Sequence, residues 1–305
     1  MNFLGLSREL GAVWWGVVGL CVGSFLNVAI YRLPRDDVSV ARPARSFCPN
    51  CKRQLSWSEN IPLFSWVLQR ARCRGCGAPI SWRYPSVELL TALLWALVAW
   101  ITPGDTPLVL VRVLVISGLI VATFVDFDCF EIPDEVSIGG MVAAPLLCLL
   151  VPQIHADSYL AHQWGGGGEL TRIGALLACA AGMALGGGIL LAIGWAGSKA
   201  FGREAMGFGD VKLLCAAGGF IGPGGVLVAL VIASFAGAIV GLSNIARLLL
   251  VARRRASERG TRRSFGRSLR AARLFGQMLP FGPYLALGTG ITLLYWDHVI
   301  AWLLP

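Results

Sequence analysis

Apolar residues in this chain come in long uninterrupted blocks, not at the three- to four-residue spacing of helices that bury one face in a soluble core. Blocks fall at 11–30, 85–101, 108–125, 136–151, 173–196, 211–221, 226–251 and 279–302. Most approach the ~20 residues an α-helix needs to cross a bilayer. The pattern predicts an all-α, polytopic membrane helix bundle of about eight spans. The flank before the first block is nearly neutral and no small-residue cleavage site follows it, so an uncleaved first span with its N-terminus outside is expected. One sizeable polar segment interrupts the series, giving a first span over 1–33, a polar insertion over 34–84 and a helix bundle over 85–305. Gly23, Ser24 and Asn27 share one helix face of the first span and suit close packing against another span.

Composition supports this class: 56% of residues are hydrophobic and 14% are charged. The net charge of +9 is informative through its distribution. Arg32 and Arg35 follow the first span, and the insertion carries Arg42, Arg45, Lys52, Arg53, Arg70, Arg72, Arg74 and Arg83 against few acids. By the positive-inside rule the insertion is cytoplasmic. Arg253, Arg254, Arg255, Arg259, Arg262, Arg263, Arg267, Arg270 and Arg273 form a second cluster in which Glu258 is the only acid. A juxtamembrane cluster of this kind reads as a contact for anionic membrane lipids, with no nucleic acid expected. Trp296 and Trp302 suit the outer interface. The run Gly165 to Gly168 has linker chemistry and no phosphate-loop signature.

Nine cysteines divide into two groups. Cys21, Cys129, Cys148, Cys179 and Cys215 lie in or beside apolar blocks and read as small buried hydrophobes. Cys48-Pro-Asn-Cys51 and Cys73-Arg-Gly-Cys76 are C-x-x-C knuckles at zinc-ribbon spacing. Zn2+ on these four thiolates would supply the folding energy that a segment poor in aliphatic residues lacks.

Candidate chemistry centres on Gly207-Phe208-Gly209-Asp210, which leads into Val211-Lys212 at the mouth of an apolar block. A carboxylate there is costly and therefore a functional candidate; as the residues stand, Asp210 could equally cap the next helix. Counting crossings places it on the same, inner side as Asp126, which ends another apolar block. Asp128 and Glu131 read as a solvated acidic turn, and Pro133 lets Asp134 start the next helix. Lys199 and Arg203 mark the inner end of the fifth span. Two carboxylates sharing one proton are the apparatus of aspartyl proteolysis. His155, His162 and His298 fall on the outer side, His155 and His162 reading as surface residues, and no H-E-x-x-H is present. A non-catalytic transporter or assembly scaffold is the alternative.

Gly207-Phe-Gly-Asp210 resembles the GxGD motif of membrane aspartyl proteases, and the rest of the chain resembles the type IV prepilin leader peptidase family. Gly23-Ser-Phe-Leu-Asn27-Val28, Tyr31-Arg-Leu-Pro34, Trp57-Ser-Glu59-Asn-Ile-Pro-Leu63, Arg83-Tyr-Pro85 with Glu88-Leu89, and Pro280-Phe-Gly-Pro283 carry the likeness. The resemblance implies a peptidase over 85–305 with Asp126 and Asp210 catalytic and Gly207, Gly209 and Lys212 supporting the motif. It implies cleavage of the basic leader of prepilins or pseudopilins after a glycine, at the cytoplasmic face of the bacterial inner membrane. It further implies methylation of the new N-terminus with S-adenosylmethionine, at residues the sequence does not indicate. Glu59, Glu88 and the acidic turn are candidate contacts for the leader. Ala71-Arg72 stands where methylating members carry glycine and a basic residue, so a peptidase without methyltransferase activity is the runner-up. The 152–169 loop also lengthens the interval between the two aspartates.

Overall fold

The apolar blocks fold as helices because a backbone in lipid has no water to satisfy its N–H and C=O groups. The computed structural model describes residues 7–35, 37–43, 45–163, 169–202, 206–258 and 280–303. In chain order its helices are α1 (Arg8–Arg32), α2 (Phe64–Leu68), α3 (Arg83–Ile101), α4 (Thr106–Cys129), α5 (Asp134–Leu150), α6 (Tyr159–Gln163), α7 (Arg172–Phe201), α8 (Phe208–Glu258) and α9 (Gly282–Leu303), with 3-10 turns at Trp57–Asn60 and Pro152–His155. The described residues form no strand beyond two isolated bridges. Among the described residues, five helices are long and apolar enough to cross a membrane: α1, α3, α4, α7 and the Phe208–Leu248 part of α8. α5 has only 17 residues and contains Pro145. Leu10, Val13, Trp14 and Val17 of α1 lie exposed, as a lipid-facing surface requires. The glycine run 165–168, Arg203 and the basic cluster from Arg259 to Arg273 lie outside the described residues, as does the side chain of Trp302.

Helix starts follow local chemistry. Ser7, Asp105 and Thr171 each cap a helix by accepting a backbone N–H, from Leu10, Leu108 and Gly174 respectively. Small residues then set which helices touch. A Cβ on Gly23 would meet Glu88 Cα at 2.8 Å, and one on Gly19 would meet Ala92 Cα at 3.0 Å, so α1 and α3 pack backbone to backbone as the first span's small residues predict. Gly182 and Gly186 of α7 similarly lie against Gly218 and Leu214 of α8.

α8 is one helix only in its hydrogen bonding. Gly222 has φ +68° and ψ 177°, directly before Pro223, and breaks the helical path. Gly182 against Gly218 and Gly186 against Leu214 make 208–221 antiparallel to α7. Past the break, Gly224 lies against Trp296, Gly288 against Ala229 and Gly237 against Tyr284, which returns the second arm to the start of α9. The two arms therefore form a hairpin, as the separate blocks 211–221 and 226–251 predict.

Several single-residue expectations need correction. His155 is 2% exposed, not a surface residue, because the turn Pro152–His155 folds its ring inward onto Gly219. Cys148 and Cys179 are buried as predicted, but Cys21 and Cys129 are exposed and Cys215 is half-buried. Arg32 is also buried: it donates to the carbonyls of Ser39, Val40, Pro43 and Arg45, folding the start of the insertion back over the end of α1.

Candidate active site and metal centre

The four insertion cysteines converge, their sulfurs all within 4.8 Å of one another. Each knuckle is built the same way. Cys48 N–H donates to Arg53 O and Lys52 N–H to Cys48 O; Cys73 N–H donates to Ala78 O and Gly77 N–H to Cys73 O. The fourth residue after the first cysteine is left-handed in both, Lys52 at φ 58° and Gly77 at φ 70°. Isolated bridges, Phe47 with Gln54 and Arg72 with Pro79, close the two turns. Backbone N–H groups of Cys76 and Gly75 lower the Cys73 thiol to about 6, toward the thiolate that a metal binds. The donor set fits a tetrahedral Zn2+. Cys48→Ser or Cys76→Ser should abolish zinc binding by this set and expose 34–84 to limited proteolysis; full metal retention on elemental analysis would count against the ribbon.

One acid braces the ribbon internally and another ties it to α3. Ser56 and Glu59 form a capping box, and Glu59 pairs with Arg53. Those contacts, the Arg53 bond first and the Ser56 N–H second, hold the Glu59 carboxyl down at about 2. Glu59 is 5% exposed, and its carboxylate is taken up within the ribbon by Arg53 and Ser56. Glu88 of α3 accepts the Leu63 N–H at 2.8 Å, holding Leu63 at φ 61° and ψ −52°, close to a γ-turn. Asn27 of α1 donates to Tyr84 O at 3.0 Å, joining α1 to the start of α3. Between the ribbon and these helices lies a cavity of about 360 Å³, lined by residues that include Asn27, Tyr31, Trp66, Gln69 and Tyr84. Oε1 of the lining residue Gln69 is buried with no hydrogen-bond partner.

At the same end of the bundle stand the two aspartates. Asp126 occupies the last turn of α4, 5% exposed, and its Oδ2 accepts the Gly282 N–H at 3.0 Å. Asp210 lies half-buried in the first turn of α8. The two are close enough to interact electrostatically. Ile132 lies between their supports: an added Cβ would come 3.4 Å from Ile132 on Gly209 and 3.1 Å from it on Gly282. The acidic turn is clamped from two sides. Asp128 pairs with Arg83 at 2.6 Å, and Asp134 pairs with Lys212 of α8. Asp128 is therefore an exposed but paired residue, while Glu131 is exposed.

Comparison with known proteins fits this arrangement. Residues 17–102 match the family model described as the bacterial peptidase A24 N-terminal domain, and residues 113–242 match that of the type IV leader peptidase family. A Myxococcus xanthus protein named prepilin leader peptidase/N-methyltransferase is 42% identical over 256 residues, covering 84% of this chain and 68% of that protein. The chain belongs to the type IV prepilin leader peptidase family. A relative from Aeromonas hydrophila with the same name is 35% identical over 93% of this chain and 91% of its own length. An Escherichia coli relative, named type 4 prepilin-like proteins leader peptide-processing enzyme, is 31% identical over 92% and 91%. No solved structure gives a significant match.

Within this leader peptidase family the Ala71 departure acquires a physical meaning. Ala71 sits at φ 54°, a left-handed conformation that glycine adopts without strain. It keeps the turn nonetheless: its N–H reaches Trp66 O and its carbonyl accepts from Ile80 N–H. Alanine here thus carries a conformational cost while its backbone bonds hold the turn. Ala71→Gly should stabilise the folded ribbon by up to about 1 kcal/mol, read as a higher thermal midpoint in detergent. The contribution of Gly282 does not follow from spacing; its only trace in the sequence is its place in Pro280-Phe-Gly-Pro283.

Proposed function

We propose that this leader peptidase family member cleaves the basic leader of a type IV prepilin or pseudopilin through Asp126 and Asp210, at the cytoplasmic face of the bacterial inner membrane, and then methylates the new N-terminus. The observation that supports it most is that these two carboxylates, from α4 and α8, lie close enough to interact electrostatically, with Asp126 held by the Gly282 N–H. Splitting α8 at Gly222 gives eight long helices, and we read each as a crossing, with residues 34–84 as the cytoplasmic insertion. That topology puts both aspartates and the ribbon on one side.

In the reaction one carboxylate, ionised, takes a proton from water, whose oxygen attacks the carbonyl of the scissile bond. The partner, protonated, donates a hydrogen bond to the carbonyl oxygen as charge develops there. Collapse of the tetrahedral adduct breaks the C–N bond, and the leaving amine takes up the proton the first carboxylate accepted. The Gly282 N–H holds Asp126 Oδ2, and the second oxygen serves the reaction. The substrate's apolar helix lies against the bundle while its basic leader meets the exposed Glu131, on the turn after α4, and Glu135, in the first turn of α5.

The cavity under the ribbon is the site we assign to the methyl donor. Its volume lies in the range of about 300–1,000 Å³ usual for small-ligand sites, Tyr31, Trp66 and Tyr84 offer faces for a purine, and Gln69 Oε1 lacks a donor. S-adenosylmethionine supplies an electrophilic methyl group on a sulfonium. Gln69→Leu should weaken its binding to the purified full chain by calorimetry without changing leader cleavage. Intact mass of a leader-bearing pilin after incubation with the protein, with and without S-adenosylmethionine, tests the whole reading. A shortened pilin one methyl heavier is expected. A shortened, unmethylated product would remove the methyltransferase half, and an uncut pilin would remove the function altogether.

A further inference from the structure

A second cluster of metal-binding side chains lies at the opposite end of the bundle. Cys148 near the end of α5, His155 of the turn Pro152–His155 and Cys179 of α7 bring two sulfurs and a ring nitrogen within 4.8 Å of one another. Their exposures are 0%, 2% and 0%. Gly219 lies nine residues beyond Asp210, roughly 13 Å along α8, so this cluster is separate from both the aspartates and the ribbon.

The surroundings are those of a ligand set. Gly219 O stands 3.0 Å from His155 Nε2 and 3.6 Å from Cys148 Sγ, so the backbone orients both side chains. Backbone carbonyls commonly orient metal-binding histidines in this way. Because Gly219 O can only accept, Nε2 carries the ring proton and Nδ1 is the nitrogen with a lone pair for a cation. Met183 Sδ lies 3.9 Å from Cys179 Sγ, adding a thioether one helical turn along α7. A hydroxyl or carboxylate ligand is missing from this group, so the set is soft and disfavours Mg2+ and Ca2+.

We propose that Cys148, His155 and Cys179 bind a thiophilic d10 cation, Zn2+ or Cu+, that ties α5 and α7 together against α8. Two thiolates and a neutral imidazole cancel the charge of Zn2+, and a neutral complex is the least costly to hold in an apolar interior. On binding, each cysteine loses its thiol proton to solvent and its sulfur pair forms the bond to the cation, with no change of oxidation state. The cation's position, where the turn Pro152–His155 folds onto the α8 break at Gly222, makes it a clamp on the end of the bundle away from the cleavage site.

The test is the metal content of the purified full-length protein in detergent, by elemental mass spectrometry, with the intact mass recorded in parallel. The wild-type protein should carry two thiophilic ions per chain, one in the ribbon and one here, and the element found tells zinc from copper. Cys148→Ser and Cys179→Ser should each lose one ion, and His155→Gln should lose it or release it to a chelator at a lower concentration. Leader cleavage and the ribbon ion should persist in all three. One ion in the wild-type protein with no loss in these variants would overturn the proposal. So would a Cys148–Cys179 disulfide, seen as two thiols that resist alkylation until reduced.

Discussion

Gly282→Ala should lower the kcat of leader cleavage about a hundredfold while leaving KM nearly unchanged. The new Cβ would lie 2.5 Å from Asp126 Oδ2 and 3.1 Å from Ile132 Cδ1, both shorter than ordinary van der Waals contact. Neither neighbour gives way easily, because Asp126 is set by the last turn of α4 and Ile132 is buried between Gly209 and Gly282. The carboxylate must therefore shift or lose the Gly282 N–H. A displacement on the order of 1 Å in a reacting group costs about that factor. The loss belongs in kcat because substrate binding through the apolar helix and the leader does not involve this contact. Gly282→Ala with wild-type kcat would show that the bond to Asp126 is not part of the reacting arrangement.

How much of the molecule is legible in its sequence depends on the distance over which each feature is encoded. The cysteine knuckles are written within a few residues, as is the Ser56-to-Glu59 capping box, and the helices follow from block hydrophobicity alone. The hairpin in α8 is readable because Gly222-Pro223 interrupts an apolar run. Asp126 and Asp210 stand out because charge at the edge of such a run is rare. Gly282 is different: its partner lies 156 residues away, and a backbone N–H has no sequence signature of its own. The burial of His155 is hidden for a related reason. Its neighbours Cys148 and Cys179 come from two helices and do not form a motif, and its burial depends on the turn folding onto Gly219. Glu59 looks available to a basic leader, but Arg53, six residues before it, becomes its partner once the ribbon folds. Polar residues near a functional site divide into those that react and those that hold the fold, and composition does not separate them.

Asp126→Asn and Asp210→Asn should each reduce cleavage by at least about a thousandfold, and the double variant should be no worse than either single one. In the proposed mechanism the pair shares one proton and works as a unit, so removing either member should remove the chemistry. Each substitution keeps shape and removes only the ionisable group, and the variants should insert, accumulate and retain ribbon zinc. Asp126→Asn keeps an oxygen for the Gly282 N–H, so its loss of activity would report chemistry instead of packing. The most direct measurement is the rate at which purified Asp210→Asn protein in lipid nanodiscs converts a leader-bearing pilin to its mature mass, beside the wild-type protein. Mature pilin is expected from the wild type and uncut precursor from the variant; mature pilin formed by the variant at the wild-type rate would contradict the two-aspartate mechanism.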